Sequence, residues 1–166
     1  MEKSKQNVYY SIIFILTSIG LLCIIMYSIT AENIKFIFAS ISISILICLT
    51  SLMFGGLLGF LFGMPKVNNN YKIDNEKMQY LPNSNIEQIS DWLTKVLIGV
   101  GLVESREIIT GIWNIAGIIG YEITTIGFVP LRQCYIFGLT MYFLIEGFII
   151  GYIATRILLP VIFSKK

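Results

Sequence analysis

Glu146 lies near the midpoint of an apolar run, about 134–158, in a chain with few charges. A carboxyl group at such a place costs about 2.5–3.5 kcal/mol to insert into a bilayer. It must therefore meet a polar partner, meet water or carry a proton. Two readings stand: a bond to a neighbouring helix, or a place on a pore or ion pathway. Arg156 is a poor partner on the same helix, because ten residues span about 15 Å. Glu122 sits seven residues from the end of another apolar run, about 108–129, and suits the outer interface. Ser51 is the third intramembrane polar candidate.

Other chemistries are excluded by what is missing. The chain has no histidine, which removes the commonest metal ligand and the usual neutral-pH general base. Its three cysteines, Cys23, Cys48 and Cys134, are far apart in apolar runs and match no zinc or redox spacing. Gly55–Gly63 is glycine-rich but lacks the Gly-Lys-Ser/Thr ending of a phosphate loop. Ile98-Gly-Val-Gly101 lacks the Thr and Tyr-Gly of a potassium filter. No catalytic residue, metal or cofactor is expected, so an enzyme is not the reading. The net charge of +2 is too small for a general grip on nucleic acid.

The elements that position these residues follow from where the charges are absent. Of the 166 residues 55% are hydrophobic and 13% charged, against about 25% charged in an average soluble domain. No Lys, Arg, Asp or Glu occurs over the 26 residues 6–31, nor over the 30 residues 36–65. About 20 apolar residues suffice for a helix to cross a hydrocarbon core of roughly 30 Å, and continuous apolar character selects helix over barrel strand. The fold class is all-α, a polytopic membrane protein with four transmembrane helices. Residues 1–65 form one hairpin, with spans at about 8–29 and 34–63. Residues 108–166 form a second, with spans at about 108–129 and 134–158 joined by the break Pro130-Leu-Arg-Gln133. A signal peptide is the rival for the first span, but the run exceeds a signal's 7–15 apolar residues and no A-x-A site follows. Lys3, Lys5, Lys66, Lys72, Lys77, Lys165 and Lys166 fall on one side of this topology, and Lys35 and Arg132 on the other. Both termini and the central loop are then cytoplasmic.

Residues 66–107 are a cytoplasmic loop followed by an amphipathic helix at 86–103. Ser84-Asn-Ile-Glu87 is a capping-box pattern. Ile86, Ile89, Leu93, Val96, Leu97 and Val100 recur at helical spacing, with Glu87, Gln88, Asp91 and Lys95 opposite. This helix either lies on the inner membrane surface or packs on neighbouring subunits and gates a pore. Glu104, Arg106 and Glu107 then mark an interfacial hinge or a polar crevice before the third span.

Ser51, Gly55, Gly59 and Gly63 form a small-residue ladder of three consecutive four-residue intervals, and Gly147-x-x-x-Gly151 repeats it once. Such spacing lets helices approach backbone to backbone; a pore lining or hinge is the other use. Identical polar and small faces are buried by symmetric self-association, with a homotetramer as the first guess.

Two stretches, Gly55-Gly-Leu-Leu-Gly-Phe-Leu-Phe-Gly-Met-Pro65 and Asn83-Ser-Asn-Ile-Glu-Gln-Ile-Ser-Asp-Trp-Leu-Thr-Lys-Val-Leu-Ile-Gly-Val-Gly-Leu102, resemble a module of bacterial membrane proteins found near defence genes. The four-span plan is similar to the channel effectors of anti-phage defence, the Hailong type in particular. That resemblance implies a tetrameric channel held closed by an oligodeoxyadenylate that a partner nucleotidyltransferase makes. It would leave Lys66, Lys72, Lys77, Lys95 and Arg106 to meet a phosphate backbone. The function expected is a pore-forming, membrane-depolarising effector gated by a cytoplasmic signal. The alternative is a non-conducting anchor that recruits a soluble partner through residues 66–103.

Overall fold

Hydrocarbon offers the backbone no hydrogen bonds, so a long apolar run satisfies its N–H and C=O groups by coiling on itself. The computed structural model describes residues 2–30, 34–64, 84–123 and 129–158, with side chains over 8–30, 34–64, 88–121 and 130–156. Within these the chain is all-helical: α1 (Glu2–Ile29), α2 (Ile34–Gly63), α3 (Ser84–Ile123) and α4 (Val129–Ile153), closed by a π-helical turn at Ala154–Leu158. Three stretches are long and apolar enough to cross a membrane: Val8–Ile29, Ile34–Gly63 and Pro130–Arg156.

Two boundaries differ from the sequence expectation. Pro130-Leu-Arg-Gln133 is no break but the first turn of α4, where a proline costs nothing because its missing N–H would be unpaired anyway. The cluster Glu104, Arg106, Glu107 does not separate two helices either, since α3 runs unbroken for 40 residues, about 60 Å. Glu and Arg are strong helix formers, and their charge interrupts an apolar run without interrupting a helix. The same charges keep α3 out of the apolar set. Only 14 residues separate Glu107 from Glu122, about 21 Å of helix against a core of roughly 30 Å.

Hydroxyls inside the apolar helices are mostly satisfied by their own backbone. Ser18, Ser42, Thr50 and Thr140 donate to the carbonyls of Phe14, Phe38, Leu46 and Ile136, four residues back.

The tightest contact is between α2 and α4. Ser40, Ser44, Cys48, Ser51, Gly55, Gly59 and Gly63 form one buried stripe along α2. A Cβ at Gly55 would lie 2.9 Å from the carbonyl carbon of Leu144, and one at Gly59 2.7 Å from Tyr152 N. From the other side, a Cβ at Gly147 would sit 3.0 Å from Gly56 N. These helices touch backbone to backbone. Ser44 meets Tyr135, Gly55 meets Leu144 and Phe148, and Gly63 meets Thr155, so α2 and α4 run in the same direction. The small-residue ladder is therefore used within one chain, in a pairing that neither expected hairpin contained.

α1 lies antiparallel across this pair and buries only a narrow stripe, Gly20, Ile24 and Ser28. Ile24 joins Cys48, Leu139 and Phe143 in the core. α3 lies antiparallel to α4 near its C-terminal end, where Trp113 meets Phe137 edge to face at 5.3 Å. Gln133 donates there to the Trp113 carbonyl at 2.9 Å.

A methyl group at Gly59 must force two backbones apart, whereas one at Gly138, on the exposed face of α4, meets nothing within 4 Å. Gly59→Ala is expected to destabilise the detergent-solubilised protein by about 1–3 kcal/mol. Gly138→Ala should be neutral or stabilising by up to about 1 kcal/mol, the helix-propensity difference. Equilibrium unfolding of the two variants side by side checks this.

Candidate functional site

A subset of the polar residues on the three apolar helices forms a seam between α1, α2 and α4. At its far end, Ser28 donates to Ser40 at 3.3 Å. Next, the ring of Tyr27 stacks on that of Tyr135 at 3.7 Å, and the Tyr135 hydroxyl lies 2.9 Å from the Ser44 hydroxyl. Further along, Tyr142 donates to the Leu16 carbonyl at 2.8 Å. The seam ends at Glu146, 4% exposed, whose Oε1 accepts a hydrogen bond from Thr17 at 2.5 Å.

α4 presents this face by helical spacing: Tyr135, Tyr142 and Glu146 are seven and then four residues apart, so they share one side. The Gly147 and Gly151 contacts with α2 fix how α4 is turned about its axis, and that rotation aims Glu146 into the gap that α1 covers. Thr17 is nine residues, about 14 Å, inside the apolar stretch that starts at Val8. Glu146 is thus tied to a neighbouring helix of its own chain. The Thr17 hydroxyl has a second acceptor, the Ile13 carbonyl at 2.9 Å, so one hydrogen serves two oxygens. Glu146 Oε2 is buried and has no hydrogen-bond partner among the described residues. A buried polar atom left unpaired costs about 1–3 kcal/mol, more when charged.

Ser51 is also turned inward, 6% exposed on the α2 stripe. Arg156 donates to the Tyr152 hydroxyl, one turn back on its own helix. Lys66, Lys72 and Lys77 lie outside the described residues, as does the side chain of Glu122. Lys95 is paired with Asp91 at 2.6 Å, as the i,i+4 spacing leads one to expect. Arg106 lies 11 residues beyond Lys95, about 16 Å along α3, so α3 does not bring these two basic residues together.

The middle of α3 forms a second polar feature. α3 is tied to the bundle at two levels: Ser90 donates to the Leu61 carbonyl at 2.7 Å, and Arg132 donates to the Gly120 carbonyl at 3.2 Å. The 30 residues between Ser90 and Gly120 cover about 45 Å. On α2 the same levels are closer, because Tyr135 faces Ser44 and Arg132 is then level with about Ile41. From there to Leu61 is about 30 Å. The middle of α3 cannot lie flush against a bundle shorter than itself. All residues from 102 to 110 are exposed, and Gly99, Gly101 and Gly111 have nothing within 4 Å. Glu104, Arg106 and Glu107 sit halfway between the two ties, exposed, with no hydrogen bond or ion pair among the described residues.

Thr17, Tyr135 and Tyr142 were not among the residues expected at a site. The Tyr135–Tyr142–Glu146 spacing is the signal that could have found two of them; Thr17 carries none, because a hydroxyl in an apolar helix is ordinarily bonded to its own backbone. Among the described residues no three Cys, Asp or Glu side chains come together as a metal site. The chain matches no protein-family model, no curated protein and no solved structure.

Thr17→Val leaves Glu146 without its donor and is expected to cost about 1–3 kcal/mol, while Thr17→Ser keeps the bond and costs less. On a Glu146→Met background the Thr17→Val penalty should largely vanish. A double-mutant cycle of unfolding free energies measures the coupling.

Proposed function

We propose that this chain is the subunit of an oligomeric membrane channel in a bacterial inner membrane, an effector whose state is set from the cytoplasmic side. The observation that carries the reading is the middle of α3, where three charged side chains stand exposed halfway along a helix tied to both ends of an apolar bundle. Lipid is an unfavourable neighbour for such a surface, so a single copy is incomplete and several copies, or water, must cover it.

The direction of the helices supports a fourth crossing. α2 and α4 are both apolar enough to span and run the same way. A chain that leaves one side at the end of α2 and starts α4 on the other must return across the membrane between them. α3, antiparallel to α4 at Trp113 and Gly120, is the described element of that stretch. Lys3 and Lys5 favour placing the cytoplasm at the start of α1, the end where α2 finishes and α3 begins. The polar loop 66–83 then belongs to the cytoplasmic side as the natural control segment. The resemblance to nucleotide-signalled defence effectors makes an oligonucleotide the class of signal to try first, with Lys66, Lys72, Lys77 and Lys95 as its basic contacts.

In this reading Glu146 acts through α1 rather than as a pore-lining group. Its bond to Thr17, with Tyr142 to the Leu16 carbonyl, holds the least buried of the apolar helices against the core. A second reading, a non-conducting anchor for a soluble partner, has one observation in its favour: Ile89 and Trp92 are 60% and 64% exposed at the start of α3.

Expression of the chain alone is expected to collapse the membrane potential of cells, read with a potential-sensitive dye, and the purified protein should conduct in planar bilayers. Gly59→Leu, which prevents α2 and α4 from meeting, should abolish both effects. A folded, membrane-inserted protein that leaves the potential unchanged and gives no unitary currents would select the anchor instead.

A further inference from the structure

We propose that copies of this chain close into a ring through α3, with Arg106 of each copy pairing with Glu104 of the next. The inference rests on the reading of α3 as a fourth crossing, and it names the surface by which the oligomer forms. Glu104 and Arg106 are two residues apart, which is 200° around a helix and about 3 Å along it. One α3 therefore carries an acid and a base at a single level on nearly opposite sides. Glu107, a further 60° round from Glu104, widens the acidic side. Both groups are exposed and unpaired within the described chain.

Copies inserted in the same orientation hold residue 104 and residue 106 at one depth, so the acid of one copy meets the base of its neighbour when they stand side by side. A two-fold arrangement about the membrane normal would instead set Arg106 against Arg106, or Glu104 against Glu104. The charge pattern thus selects a head-to-tail contact, which a constant turn from copy to copy closes into a ring. Backbone space is available on both sides of the contact. Gly99 lies two turns before Arg106 on its side, and Gly111 two turns after Glu104 on the other, each with nothing within 4 Å. Those glycines permit the close approach that a short charge pair needs. Inward-facing Glu146 and Ser51 leave α3 as the polar helix turned toward neighbours.

The test uses the full chain in membranes. Arg106→Glu and Glu104→Arg should each reduce the oligomer by about tenfold or more in native mass spectrometry from detergent, and the combined swap should restore it. Singles that assemble like the wild type overturn the proposal, as does a double swap that inserts stably but stays monomeric. A second measurement is independent of those variants. With the natural cysteines replaced by alanine, cysteines at Val100 and Leu102, on the two sides of α3, should together give an oxidative ladder ending at a fixed size. Either cysteine alone should give none; a dimer from one alone means like faces meet, and overturns the ring. The crossing is checked separately by labelling Gln88→Cys and Tyr121→Cys with a membrane-impermeant maleimide. Labelling from opposite sides with the wrong cross-link pattern rejects only the ring, and labelling from the same side rejects the crossing and the ring with it.

Discussion

The distance between α2 and α4 is set by glycine, and most of the remaining geometry follows from it. A Cβ at Gly55, Gly59, Gly147 or Gly151 would fall against the backbone of the facing helix. In lipid, where apolar side chains gain little by leaving their surroundings, such close packing is the main force between helices. It requires a definite rotation of each helix about its axis. Once Gly147 faces α2, the neighbouring Glu146 and Tyr142 must face the groove beside it, and α1 closes that groove. The interior position of the Glu146 carboxyl group is thus a consequence of two glycines next to and near it.

The polar seam shows how the bilayer constrains what can be buried. Serine and threonine hydroxyls mid-helix mostly bond their own backbone carbonyls, and they do so at Ser18, Ser42, Thr50 and Thr140. Ser28, Ser40, Ser44 and Thr17 differ because their partners lie on other helices. The Ser28–Ser40 and Thr17–Glu146 bonds connect α1 to the α2–α4 pair, which it otherwise touches along one stripe only, and the Ser44–Tyr135 bond joins α2 to α4. The seam gives α1 a fixed register at modest strength. Glu146 Oε2, buried without a partner, makes its end the least settled point of the interior.

α3 is built on another principle. Its ends are packed, by Ser90 on α2 and by Trp113, Ala116 and Gly120 on α4, while its middle is bare. A helix longer than the bundle it is tied to must stand away from it somewhere, and the charges occupy the part that does. A soluble protein could leave such a stretch to water. In a membrane it implies neighbours, which ties the functional reading to assembly rather than to a pocket within one chain.

The sequence by itself determined the helical class, the apolar spans at 8–29 and 34–63, and the Asp91–Lys95 pair. Each depends on local composition or on residues within one turn. It also marked Glu146 and the glycine ladder as the positions that need an explanation, because an unpaired charge and a bare helix face are both costly to leave unused. It did not determine which helix the ladder would meet. Gly147 and Gly151 repeat the spacing on α4, but spacing alone does not say which helix a ladder faces, and the facing backbones of Leu144, Phe148 and Tyr152 decide it. The continuity of α3 was hidden for a related reason: Glu104, Arg106 and Glu107 signal polarity, and polarity marks a helix end only when the surroundings are known. The partner of Glu146 was decided by tertiary structure alone. Thr17 is 129 residues away, and nothing in its own neighbourhood distinguishes it from a hydroxyl bonded to its own helix.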